Sequence, residues 1–217
     1  LNDLAVTIVD EGVHRYLRQT GRAFPRRLVA FCPVSLRDEG DSASGTRASA
    51  MFVHLGEHDA TVLGRVKQVV AAMGAGKQDL RSMSKDAALT YAIAVLGMAE
   101  LTTATHVDRV TPPLANVVIS NVPGARAKMY LNGAALVGTF PVSMIAMSIG
   151  LNATLTSYDD SMDFGFVGNG VAMYDLTQLA RHVRDAYEEL KAASSTKRKA
   201  PGRNTRSRGA KTGRASR

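Results

Sequence analysis

Cysteine occurs once in this chain of 217 residues, at Cys32, and tryptophan not at all. A single thiol excludes an internal disulfide framework and fits a reducing compartment. Cys32 sits in the strand-like run LVAFCPVSL, so a buried, inert thiol is expected rather than a nucleophile. No stretch reaches the roughly 18 uninterrupted apolar residues of a membrane span. The first residues read as a polar-apolar helical pattern, not as a secretory leader. Histidine is also scarce, with five in all. His54 and His58 lie four apart in a strand-like segment, where about 3.3 Å per residue separates them by roughly 13 Å, too far to share one ion. His14 and His182 fall on charge-rich helices and are expected at the surface; His106 ends a helix, where a cation complements the dipole. No metal site is expected.

Familiar catalytic signatures are missing too. The stretch GAGK at Gly74–Lys77 follows a helix rather than a strand, and Gln78 stands where a phosphate loop needs Ser or Thr. A glycine turn closing a helix is the better reading. No Gly-x-Ser-x-Gly elbow exposes a serine nucleophile. Asp159 and Asp160 are adjacent in a hairpin turn, which suits solvated turn residues better than a catalytic pair. Acid is absent from the last stretch: Ser195–Arg217 holds nine Lys or Arg and no Asp or Glu. Taking those nine from the 27 basic residues leaves 18 against 19 acidic ones, so residues 1–194 carry a net charge of −1. The sequence pI near 9.9 therefore belongs to a tail, 194–217, expected to be disordered for want of apolar side chains.

What is present reads as one folded unit over 1–193. Leu4, Ala5, Ile8, Val9, Val13, Tyr16 and Leu17 recur at helical spacing from Asn2 to about Thr20, with Asn2 or Asp3 as N-cap or first-turn acid and Gly21 closing the helix. Strands are expected over Arg26–Arg37 and Arg47–His58, with the loop DEGDSASGT between them. Helices follow at about 60–73 and 84–103, the second capped by Ser84. Then come a strand at 116–121, another near 135–142, a hairpin of 149–158 with 162–168, and a helix over about 174–193. In the segment NVVISNVPGARAKMY, Val117, Val118 and Ile119 form the apolar run of a strand covered on both faces. Pro123 cannot donate to a ladder and Gly124 tolerates positive φ, so the strand is expected to turn there. The order of elements gives an α/β (α+β) class, a mixed sheet flanked by helices.

Five segments in order carry a resemblance: LNDLAVTIVDEGVHRYL, LVAFCPVSLR, SGTRASAMFVHL, NVVISNVPGARAKMYLNGAAL and FPVSMIAMSIGLNATLTSYDDSMDFGFVGN. Together they resemble the C-terminal half of the wax ester synthase / diacylglycerol acyltransferase family, from Leu1 to about Ala193. The resemblance implies a chloramphenicol-acetyltransferase-like fold and transfer of a fatty acyl group from acyl-CoA, a co-substrate, to diacylglycerol or a long-chain alcohol. No bound cofactor is implied. The family's general base is the histidine of a His-His-x-x-x-Asp-Gly motif in the other half, where it takes the acceptor hydroxyl's proton. This chain has no adjacent histidines and no His-x-x-x-Asp, and it opens without methionine. It is therefore expected to be a second half, inactive alone, with the N-terminal half as partner.

The family's Asn-Asp pair falls on Asn2 and Asp3, either a polar support beside the active-site channel or an ordinary helix start. Its turn motif falls on Ser120, Asn121, Val122, Pro123 and Gly124, an expected channel wall. Ala125 stands where many members have a second proline, and Asp160 and Ser161 where a glycine turn is common, which bears on acceptor preference. The expected setting is cytoplasmic, peripheral to membrane or lipid inclusions. A rival reading is a non-catalytic lipid- or nucleic-acid-binding module acting through the tail. The folded part offers no basic stripe with interleaved aromatics, so nucleic acid is not the expected partner.

Overall fold

A computed structural model describes residues 1–21, 27–36, 48–107, 110–145 and 149–199. In chain order the elements are α1 (Asn2–Gln19), β1 (Val29–Ser35), β2 (Ala48–His54), α2 (Val62–Ser82), α3 (Lys85–Ala104), β3 (Val117–Val122), β4 (Tyr130–Leu131), β5 (Ala134–Ala135), β6 (Leu151–Tyr158), β7 (Ser161–Gly168) and α4 (Leu176–Lys199). Five strands form one mixed sheet in the order β2-β1-β3-β6-β7. The outer pairs are antiparallel hairpin-type pairings, and the central β1-β3 and β3-β6 pairs are parallel. This is the expected α/β arrangement.

Side chains alternate across the sheet, so each strand feeds two cores. Cys32, Val53, Val117, Ile119, Leu151, Ala153 and Leu155 join the larger core with Val9, Val13 and Tyr16 of α1, Val69 and Met73 of α2, and Leu179 and Val183 of α4. On the opposite face Val29, Phe31 and Phe52 pack around Ala115, Val118 and Ile149. Phe31 and Phe52 are register partners whose rings meet edge-on at 5.6 Å. α3 begins at the β2 edge, where Ser49 Oγ donates to the Ala88 carbonyl at 2.8 Å. A seam of small residues, Ala88, Ala92 and Ala99, is its buried side. Leu89, Ile93, Leu96 and Leu101 stay exposed. By length and composition α3 could cross a membrane, and only 17% of its apolar window is buried.

Three expectations change. α2 does not end at Met73 but runs through Gly74 and Gly76 to Ser82. Two interior glycines cost a helix about 1 kcal/mol each. Here Leu80 packs on the core and Lys77 pairs with Asp3, so tertiary contacts carry the helix past them. The strand near 135–142 is absent: the regular structure is a two-residue hairpin, β4-β5, turned by Asn132 and Gly133 with φ of 49° and 84°. Both central residues at positive φ make Asn-Gly the preferred hairpin turn. α4 continues to Lys199, into the segment expected to be irregular. Basic residues near a helix C-terminus complement its dipole, and Ser194 and Ser195 hydroxyls bond back to the Lys191 carbonyl at 2.8 and 3.0 Å. α1 takes Leu1 as N-cap with no side-chain bond, and of the expected alternatives Asp3 is the first-turn acid while Asn2 is no cap. The loop DEGDSASGT and the tail beyond Lys199 lie outside the described residues.

Candidate functional site

Asn2 and Asp3 are half-buried at the start of α1, and both are engaged by residues far along the chain. Asn121 Nδ2 donates to Asn2 Oδ1 at 3.1 Å, tying the end of β3 to the start of α1 across 119 residues of sequence. Lys77 Nζ donates to Asp3 Oδ1 at 2.8 Å from α2. Strand alternation explains who participates. Val117 and Ile119 face the larger core and α1, so Asn121, two further on, reaches the same helix. Ser120 shares the other face with Val118 and does not join the cluster. Two motif segments thus meet through Asn2 and Asn121, while Ser120, Pro123 and Gly124 stand apart from the polar pair.

β3 does not stop at Asn121. It pairs in parallel with β6 through Val122↔Thr156. Gly124 then donates its N–H to Ser157 Oγ at 3.2 Å, and Asp159 N–H donates to the Ala125 carbonyl at 2.9 Å. Pro123, just past the last register pair, has no N–H to donate. Gly124 is needed for close approach, not for positive φ: a Cβ there would lie 2.0 Å from the Ser157 carbonyl oxygen. The expected abrupt turn is a close-packed continuation along β6. Pro123 itself is exposed.

Beyond it, an irregular segment lies over β7. Thr139 donates both N–H and Oγ1 to Asp163 Oδ2, at 2.7 and 3.0 Å, and Asn152 Nδ2 donates to the Met144 carbonyl at 2.9 Å. Val137, Phe140, Val142 and Met144 remain more than three-quarters exposed on this segment. Between α3 and the second face of the sheet lies an apolar cavity of about 180 Å³ lined by Phe31, Phe52, Val95, Met98, Ala99, Pro112, Leu114 and Ile149, with Thr102 and Thr111. Both threonine hydroxyls are turned onto backbone carbonyls, of Ala99 at 2.8 Å and Val107 at 3.0 Å. The lining therefore offers hydrocarbon. An engineered apolar cavity of about 150 Å³ takes benzene, so this one has room for a short stretch of alkyl chain.

The least expected feature is a buried ion network. Arg65 of α2 is wholly buried; its Nε donates to Glu11 Oε2 at 2.7 Å, its Nη1 to both Asp10 oxygens at 3.2 Å, and its Nη2 to the Glu57 carbonyl at 2.9 Å. Asp10 also accepts from Gly56 N–H at 2.7 Å. His14, expected at the surface, is 1% exposed, 2.8 Å from Asp10 Oδ1 and 3.1 Å from Arg65 Nη1. The signal was available: Asp10 lies four residues after Val6 and three before Val13, so it sits on the apolar face of α1. Burial works to raise the Glu11 carboxyl, but hydrogen bonds from Arg15 and Arg65 and their charges prevail and hold it below the ordinary range. The network pins α1, and with it Asn2 and Asp3, to α2.

The Cys32 thiol is buried and pushed up to about 12 by that burial, against a small opposing effect of Lys77. It is no nucleophile. His54 and His58 line an open hollow with Arg27, Glu57 and Asp59. No group of three or more His, Cys, Asp or Glu among the described residues could hold a metal ion. His182 bonds Gln19 Oε1 at 2.6 Å. Burial lowers its pKa first, with the Arg15 and Arg18 charges, against Asp185. His106, just past α3, is exposed at a φ of 57°.

Residues 44–191 match the family model described as the WS/DGAT C-terminal domain. Two Mycobacterium tuberculosis chains named as diacylglycerol O-acyltransferases are similar in sequence. One is 34% identical over 196 residues, covering 89% of this chain and 39% of its own length. The other is 35% identical over 193 residues, covering 89% and 43%. The solved wax ester synthase/diacylglycerol acyltransferase from Marinobacter aquaeolei VT8 superposes with a TM-score of 0.75 at 29% identity, over 89% of this chain and 44% of that one. The chain thus spans about two-fifths of the length of the relatives it matches.

Proposed function

Since the chain belongs to the wax ester synthase / diacylglycerol acyltransferase family, as its C-terminal domain, we propose that it forms the second half of an enzyme moving a fatty acyl group from acyl-CoA to diacylglycerol or a long-chain alcohol. The observation that carries this beyond family membership is the meeting of Asn2 with Asn121 at 3.1 Å. Two segments far apart in sequence, both carried over from the family resemblance, meet at one polar junction at the end of a sheet.

In the proposed division of labour, the partner half supplies a histidine as general base. It takes the proton from the acceptor hydroxyl, the alkoxide attacks the thioester carbonyl, and the CoA thiolate leaves. This half contributes position and environment. Asn2, Asn121 and the Asp3–Lys77 pair form a polar rim, and the apolar cavity under α3 is suited to an alkyl chain. The exposed apolar residues of α3 and of the 137–144 segment are surfaces for the partner half and for lipid, since apolar patches of this kind are usually covered. The setting proposed is cytoplasmic, peripheral to a membrane or lipid inclusion, with the basic tail attracted to anionic surfaces.

The test is Asn2→Ala and Asn121→Ala in the enzyme completed by its N-terminal half. Each is expected to lower kcat by about tenfold or more, the equivalent of roughly 1.4 kcal/mol, while leaving the melting temperature nearly unchanged. Equal losses of activity and stability would reduce the pair to a helix-strand clasp.

A further inference from the structure

Where β1 ends, α2 ends and α3 begins, an open hollow of about 450 Å³ has a floor of Val34, Leu80 and Met83 and a rim of Lys77, Arg81 and Lys85. No acidic residue is among its described lining residues. Lys77 bonds Asp3 at 2.8 Å, so the hollow adjoins the Asn2–Asp3–Asn121 junction rather than a remote surface. The start of α3, capped by Ser84 Oγ accepting from Ala87 N–H at 3.2 Å, adds the positive end of its dipole.

We infer that this hollow binds the phosphate-bearing end of the CoA thioester, with Arg81 and Lys85 on the phosphate oxygens and Val34, Leu80 and Met83 against the chain that joins them to the sulfur. The inference rests on the acyl-CoA reading above and assigns that substrate a place. Guanidinium and ammonium donors on phosphate are charge-assisted bonds, about twice as strong as neutral ones. Arg81 and Lys85 are exposed at the mouth of the hollow, and cations beside an apolar floor favour a phosphorylated amphiphile over a neutral one. Lys77, already paired with Asp3, couples occupancy of the hollow to the junction where the acyl group is transferred.

The test is titration of the purified 217-residue chain with CoA, with pantetheine, which lacks every phosphate, and with dihexanoyl phosphatidic acid, as a lipid headgroup. The chain is compared with the double variant Arg81→Gln/Lys85→Gln and with Arg203→Gln/Arg206→Gln, which removes the same charge from the tail; circular dichroism checks that each variant is folded. Expected are CoA binding that weakens with salt, pantetheine at least about tenfold weaker, and a further loss of about tenfold in CoA affinity for the rim variant alone. Absence of CoA binding, equal losses in rim and tail variants, or pantetheine binding as tight as CoA would overturn the inference. Rim-sensitive binding of phosphatidic acid with rim-insensitive binding of CoA would give the hollow to lipid headgroups and overturn it too. Acyl transfer by the completed enzyme with an acyl-CoA KM that the rim variant leaves unchanged removes this inference alone. Rim-sensitive CoA binding in an enzyme that transfers no acyl group removes the proposed function instead.

Discussion

Replacing Arg65 by methionine is the sharpest probe of how the scaffold is held. The wild-type guanidinium, itself out of water, meets Glu11 at 2.7 Å and Asp10 at 3.2 Å in buried contacts and the Glu57 carbonyl at 2.9 Å in a part-buried one. Methionine fills much of the volume but leaves the acids behind. Glu11 keeps Arg15 at 2.8 Å, and Asp10 keeps Gly56 N–H at 2.7 Å, so neither is stripped bare. Removing one partner of a buried ion pair costs about 3–5 kcal/mol, because the other charge is left uncompensated. We expect a loss in that range at pH 7, measured by urea denaturation followed by circular dichroism. Sign matters in acid. Wild-type Glu11 is held below its ordinary range, so its contribution is complete above the unfolded value and is lost as pH falls through the folded one. In the variant Glu11 has lost the Arg65 share of that stabilisation but keeps Arg15, so the two stabilities should converge as Glu11 protonates, below about pH 4. A loss under about 1 kcal/mol, or a gap that stays constant in acid, refutes the reasoning.

Three further outcomes follow from the same geometry. Gly124→Ala forces a Cβ to within 2.0 Å of the Ser157 carbonyl oxygen; thermal denaturation should show a loss of about 1–3 kcal/mol, and an unchanged melting temperature would mean that β3 and β6 part freely there. Cys32, pushed up to about 12 by burial, should not react with a chromogenic disulfide at pH 8 until guanidinium unfolds the chain; rapid reaction of the native chain would contradict its burial. Glu11→Gln should flatten the loss of stability expected of the unsubstituted chain as pH falls below the ordinary carboxylate range; an acid profile identical to the original would assign that loss to other carboxylates.

The strands of the sheet and the helices α1 and α3 were legible because their patterns are local. β6 and β7 alternate cleanly around the Asp159–Asp160 turn, and Ser84 caps α3 as its position suggests. What was illegible depends on partners distant in sequence. GAGK looks like a helix end until Lys77 is seen against Asp3 and Leu80 against the core. His14 looks like a surface residue until Arg65 arrives from α2 to neutralise the acids around it. The Asn132–Gly133 hairpin was legible in principle, since Asn-Gly is the strongest short turn signal, but the apolar run after it drew the strand assignment downstream. Asn2 and Asn121 each carried a motif; their contact is a product of parallel pairing in the sheet, which periodicity does not disclose.

Acyl transfer itself tests the central claim most directly. Radiolabelled palmitoyl-CoA is supplied with diacylglycerol or hexadecanol to this chain alone and to the chain joined to its N-terminal half. The proposed function predicts labelled triacylglycerol or wax ester from the joined enzyme and none from the 217-residue chain, because it assigns the general base to the other half. Transfer by the isolated chain, or no ester from the joined enzyme with either acceptor, would contradict it.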